Sequence, residues 1–144
     1  MLKNRIGMCI DEINIGDKAS FTKTITDTEI ILYTAITGDF NPIHVDEEYA
    51  KNTVFGRRVA HGTIALGLIG PVLGMQLPGL GTILMGASFR NMAAVYPGDT
   101  ITAEVEAVEK IIEKRIVRFG FKISNQHGEA VITGDAMVRP PEKK

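Results

Sequence analysis

The sequence predicts an α+β fold in which a five-stranded antiparallel sheet wraps around a long central helix. Three observations carry that expectation. One strand pattern near the amino terminus is followed by helical patterns; the most apolar stretch, Gly62 to Leu77, lies mid-chain; and from Leu80 onward apolar residues recur at every second position in four runs. Helices followed by consecutive strands, with one helix hydrophobic on nearly all sides, describe a sheet that hides a helix against one face. At 144 residues with 44% hydrophobic content, the chain suits one domain spanning 1–144 with an ordinary core.

Taken in order, residues Met1 to Asp17 mix Lys3, Arg5, Asp11 and Glu12 into a short apolar sequence with no uninterrupted signal-peptide core, so a cytoplasmic protein is expected. Lys18 to Ile25 alternates Ala19, Phe21 and Ile25 against Ser20, Thr22 and Thr24, a strand whose apolar face Lys23 interrupts. Thr26 and Glu29 form a capping box that opens a helix from Asp27 to Thr37. Its residues Ile30, Ile31, Tyr33, Thr34 and Ile36 are expected to pack on that strand. Gly38 stops the helix through its access to the left-handed conformation, and Pro42 is expected to keep helix from restarting, leaving Asp39 and His44 on a rigid non-helical turn. A short helical stretch, Asp46 to Lys51, follows with acidic residues in its first turn.

Gly62 to Leu77 reads as a buried central helix that Pro71 kinks or shortens, since glycines and Pro71 interrupt it well short of the roughly 20 apolar residues a membrane span requires. The period-two runs predict strands over Thr82 to Arg90, Asp99 to Lys110, Lys114 to Ser124 and Glu129 to Val138, with Arg115, Val117, Phe119, Phe121 and Ile123 on one buried face. The tail from Pro140 to Lys144 is expected to fray.

Charge excludes some partners. Sixteen basic and 17 acidic residues leave a net charge of −1, so no overall field draws nucleic acid or an anionic membrane. A single cysteine, Cys9, can neither form an internal disulfide nor join a cysteine cluster for zinc. The histidines are scattered in sequence, without the i, i+4 spacing of a helical zinc site, so no metal is expected.

Chemistry concentrates in Thr37-Gly38-Asp39-Phe40-Asn41-Pro42-Ile43-His44, where a carboxylate, a carboxamide and an imidazole share eight positions. On the residues alone two accounts stand. Asp39 and Asn41 can simply bond their own backbone as turn residues, or Asp39 and His44 can form a fixed pair for proton transfer on a scaffolded loop.

Tyr33, the Thr37-Gly38-Asp39-x-Asn41-Pro42-Ile43-His44 run and Ala50 resemble the hydratase motif of the MaoC-like, (R)-specific enoyl-CoA hydratases. The likeness continues through Phe55-Gly56-Arg57-Arg58-Val59-Ala60-His61-Gly62, Gln76-Leu77-Pro78-Gly79 and Tyr96-Pro97-Gly98-Asp99-Thr100. The resemblance implies a hot-dog fold, a homodimer or dimer-based oligomer with active sites near the subunit junction, and hydration of trans-2-enoyl-CoA or the reverse dehydration.

That reaction needs a group to take a proton from water, a group to deliver one to the α-carbon, and a stabiliser for the enolate-like oxygen. The resemblance implies that Asp39 and His44 supply the first two and the backbone N–H of Gly62 the third, with Asn41 orienting water or thioester. Arg57, Arg58 and Arg90 are plausible partners for the phosphates of coenzyme A, or else surface residues. Coenzyme A belongs to the substrate, and no further cofactor is expected, because neither hydride nor electron moves. His61 reads most plainly as a histidine bonded to backbone at a helix start, and His127 as an exposed hairpin residue. Three departures stand out: Gly67 where some relatives have a serine, Asn91 to Ala94 in place of a more aromatic, proline-containing segment, and Gly70-Pro71 in the helix beside the acyl tail. A hot-dog thioesterase and a noncatalytic acyl-CoA-binding module are the competing functions.

Overall fold

The computed structural model describes residues 5–143. Its strands are β1 (Lys18–Thr24), β2 (Ile83–Asn91), β3 (Thr100–Ile111), β4 (Ile116–Ser124) and β5 (Ala130–Arg139). They form one antiparallel sheet in the order β1-β3-β4-β5-β2. Alternation buries Ile101, Ala103, Val105 and Ala107 of β3 and Val117, Phe119, Phe121 and Ile123 of β4 on a common face. This is the hot-dog arrangement implied by the resemblance, each strand lying within two residues of its expected bounds.

Local signals set α1 (Asp27–Thr37) at the residues the sequence predicts. Thr26 Oγ1 accepts from the Thr28 N–H at 3.2 Å, and Glu29 returns the favour by accepting from the Thr26 N–H at 2.8 Å. The Lys23 ammonium, 2.8 Å away, and then Thr26 pull the Glu29 carboxyl down to about 2. At the far end Gly38 takes φ 78°, and its N–H closes on the Thr34 carbonyl at 2.9 Å. What α1 packs against differs from expectation. Only Ile30 and Thr34 are buried, whereas Ile31 and Ile36 are exposed. The helix rests on α2 (Pro42–Val45) and α4 (Gly62–Gly67) rather than across β1.

The existence of α2 corrects the non-helical turn. Pro42 is its first residue, where a missing N–H costs nothing, and Asn41 caps it by accepting from the Ile43 N–H at 3.3 Å. Asp46 then caps α3 (Glu47–Ala50), accepting from the Tyr49 N–H at 3.1 Å.

The long central helix is two short ones, α4 and α5 (Ile69–Met75), separated at Leu68. Pro71 cannot donate to the Gly67 carbonyl, and at the break Leu68 bonds Ala65 at 3.0 Å in a tighter turn. The second piece lies over β1 and β3 and buries Ile69, Val72 and Leu73. The tail is also docked rather than frayed: Pro140 is buried, and Glu142 and Lys143 pair with Arg115 and Glu12. Lys144 lies outside the described residues.

Candidate active site

The site is assembled where α1 ends, α2 begins and α4 starts. Asp39 follows Gly38, and its Oδ1 accepts from the Asn41 N–H at 3.1 Å, so the turn-forming account of these residues is correct as far as it goes. The turn nevertheless leaves the carboxylate half-exposed. His44, on α2, is buried, with Nδ1 2.7 Å from the Val59 carbonyl oxygen. A carbonyl can only accept, so Nδ1 carries the hydrogen and the neutral ring keeps its lone pair on Nε2.

His61, immediately before α4, completes the cluster. Its ring stacks on His44 with centroids 3.7 Å apart and planes 28° from parallel, and Nε2 lies 3.9 Å from Asp39 Oδ2. A carboxylate oxygen of Asp39 and one ring nitrogen from each histidine all fall within 4.8 Å of one another. The two histidines scattered in sequence are thus neighbours in space. Burial, and then the neighbouring His44, push the His61 pKa down, against the opposing bond to the Asp39 backbone.

Beside the cluster lies a cavity of about 370 Å³ whose wall includes His44, Gly62, Asn91, Val59, Ala60 and Ile132. This mixture of apolar wall and few polar groups suits an acyl chain with one reacting end. Gly62 opens α4, so its N–H has no intrahelical acceptor. A Cβ there would stand 2.8 Å from Asn91 Oδ1, which shows how closely the carboxamide approaches the start of the helix. A larger hollow of about 650 Å³ sits between the amino-terminal segment and Met75 to Leu80, and contains none of the motif residues.

Residues 12–126 match the model of the MaoC like domain. The chain belongs to the MaoC-like family. It is 41% identical to an (R)-specific enoyl-CoA hydratase of Rhodospirillum rubrum over 133 residues, covering 92% of each chain. It is 37% identical to a 3-hydroxybutyryl-CoA dehydratase of Methylorubrum extorquens, covering 93% of this chain and 85% of that one. Among solved structures, the unliganded R-hydratase PhaJ1 of Pseudomonas aeruginosa superposes with a TM-score of 0.89 at 36% identity, covering 95% of this chain and 88% of that one.

Within this MaoC-like site the three arginines part company. Arg57 lies over the Tyr96 ring, 3.9 Å from its centroid, a cation–π contact that leaves its guanidinium exposed. Arg58 is already taken, with Nε 3.0 Å from Glu47 and Nη2 2.8 Å from Asp27, and it clasps α3 to the start of α1. Arg90 is misplaced for the cavity. It pairs in register with Thr133 on the outer side of the sheet, whereas the next residue, Asn91, pairs with buried Ile132 and turns inward. Reading alternation outward from Ile132 finds Asn91, a cavity residue that the sequence marked only as a departure. Gly67, the other departure, has nothing within 4 Å of a would-be Cβ. Asn41 serves as the cap of α2, and His127 is exposed at the β4–β5 turn.

Proposed function

We propose that this MaoC-like chain adds water to a trans-2-enoyl-CoA to give an (R)-3-hydroxyacyl-CoA, and runs the reverse dehydration. The observation that carries the reading is that the Asp39 carboxylate and the His44 ring lie within 4.8 Å of each other, and that His44 lines a largely apolar cavity. Water placed between them gives its oxygen to C3 of the enoyl group and one proton to the pair. The thioester oxygen, negative in the transition state, takes the N–H of Gly62. The proton then returns to C2, so that one water is added across one double bond. His44 Nε2, with its lone pair free, and the half-exposed carboxylate of Asp39 are both able to accept and return that proton. Because α4 has only six residues, the local N–H rather than a long helix dipole stabilises the oxygen.

The test is hydration of crotonyl-CoA, followed by loss of enoyl thioester absorbance, with the product's configuration determined. Release of free thiol without loss of the double bond would install the thioesterase reading. Ligand-induced thermal stabilisation with no turnover on any chain length would install the binding-module reading.

We also propose that a second copy covers β2 and that the enzyme works in the cytoplasm. Among the described residues no helix is long and apolar enough to cross a membrane. Every residue of β2 is exposed, among them Ile83, Leu84, Met85 and Phe89, whereas the opposite edge strand carries Lys18 and Lys23. An apolar edge whose one charged residue is Arg90, next to its end, is a template for another chain, and an edge bearing two lysines discourages one. Light scattering should give twice the 15.7 kDa chain mass, and Leu84→Lys should halve it. A wild-type monomer at assay concentration would refute the pairing.

A further inference from the structure

One buried titratable side chain at the site has no part in the proposed reaction. His61 is 2% exposed and is enclosed by the face of His44, the Tyr33 ring at a centroid distance of 4.8 Å, Thr34 and the Asp39 turn. Tyr33 is itself tied to Thr63 by a hydroxyl–hydroxyl bond, so the wall behind His61 is fixed. The titratable groups that face it are Asp39, His44 and Tyr33.

Hydrogen bonding decides the form of the ring. Nε2 lies 3.2 Å from the Asp39 main-chain carbonyl and 3.3 Å from Thr34 Oγ1. The carbonyl can only accept, so Nε2 is the donor and Nδ1 keeps the lone pair. Nδ1 is buried with no partner. A second proton would have to enter at Nδ1, where no acceptor waits. His61 is therefore a neutral ring in a single tautomer, able to hold but ill-placed to exchange a proton. The bond to the Asp39 carbonyl makes it the backbone-bonded histidine at a helix start that the sequence suggests, although its side chain makes no capping bond to α4 itself.

What it does hold is Asp39. The other hydrogen bonds of Asp39 among the described residues stay within its own turn, to Thr37 and Asn41. The link across the site is the one from His61. His44 is likewise anchored at its Nδ1 edge by Val59 and on one face by His61.

We propose that His61 is a positioning residue: it donates Nε2–H to the Asp39 carbonyl and backs the His44 ring, keeping carboxylate and imidazole at their working separation without itself transferring a proton. The inference rests on the hydratase reading. A misplacement of about 1 Å between reacting groups can lower a rate on the order of 10²-fold, so loss of this clamp acts on kcat.

Three variants test it. Glutamine places an amide N–H where Nε2 sits but does not titrate, phenylalanine keeps the stacked face without a donor, and asparagine is too short to reach the carbonyl. With crotonyl-CoA, His61→Gln should keep kcat within about fivefold of wild type and leave the pH–rate profile unmoved. His61→Phe and His61→Asn should each lose about 10–100-fold in kcat with KM little changed. Should the phenylalanine variant fail to fold, the glutamine and asparagine pair still decides. Glutamine falling as far as asparagine, or phenylalanine matching wild type, would overturn the proposal while the hydratase reading stands. A wild type silent on every enoyl-CoA would instead remove that reading, and this inference with it.

Discussion

Asp39→Asn and His44→Ala should each lower crotonyl-CoA turnover by about 10²–10⁴-fold, the range for removing a general acid or base. The choice of asparagine separates chemistry from architecture. Asp39 Oδ1 accepts from the Asn41 N–H at 3.1 Å, and an amide oxygen at the same place still accepts, so the turn survives while the proton acceptor goes. The side chain is half-exposed, and the thermal midpoint should barely move. His44→Ala differs, because it strips the Val59 carbonyl of its 2.7 Å partner and uncovers a face of His61. A loss of about 1–3 kcal/mol of stability is expected there, and kinetics must be read below the lowered midpoint. Groups acting on one proton are strongly non-additive, so the double variant should fall little further than either single one. Turnover within about threefold of wild type for either single variant would take that residue out of the mechanism.

Phe119→Ala should destabilise the fold by about 3–5 kcal/mol, out of the roughly 5–15 kcal/mol that holds a domain of this kind together. Phe119 is 0% exposed at the centre of β4, and its neighbours in register are Ala107 on β3 and Ala136 on β5. One large ring flanked by two methyls fills the inner face of the sheet. Neither alanine can reach into the space the ring leaves, and the antiparallel ladder on both sides prevents the strands from closing in. The void therefore persists, and it is the residual void that raises the penalty beyond lost transfer energy. Urea denaturation should show the midpoint falling at unchanged slope. A shift worth less than about 1 kcal/mol would mean that the ring is not the centre of the core.

Legibility followed the range of the signals. The bounds of α1 were readable because Thr26, Glu29 and Gly38 act on backbone groups within a turn of themselves. The strands were readable because alternation needs only neighbours. Pro42 misled, since a residue that ends one helix is equally suited to begin the next, and Asn41 before it was the unread cap. Pro71 was recognised as a disruption, but the break fell at Leu68, because the bond a proline removes belongs to a carbonyl four residues upstream. Arg90 and Asn91 show the same limit on a strand. Which of two adjacent residues faces the cavity depends on register with Thr133 and Ile132 of a distant strand.

By itself, the sequence determined the helical and strand periods, the caps and the motif that carries Asp39 and His44, because each is written in residues close along the chain. Only the tertiary structure decided that His61 stacks on His44 and bonds the Asp39 carbonyl, that Arg58 is spent on Asp27 and Glu47, and that Asn91 meets Gly62. Those contacts join segments whose separation along the chain says nothing of their distance in space. They form when the sheet and α4 bury their apolar faces together, and that burial sets which polar groups are left to meet.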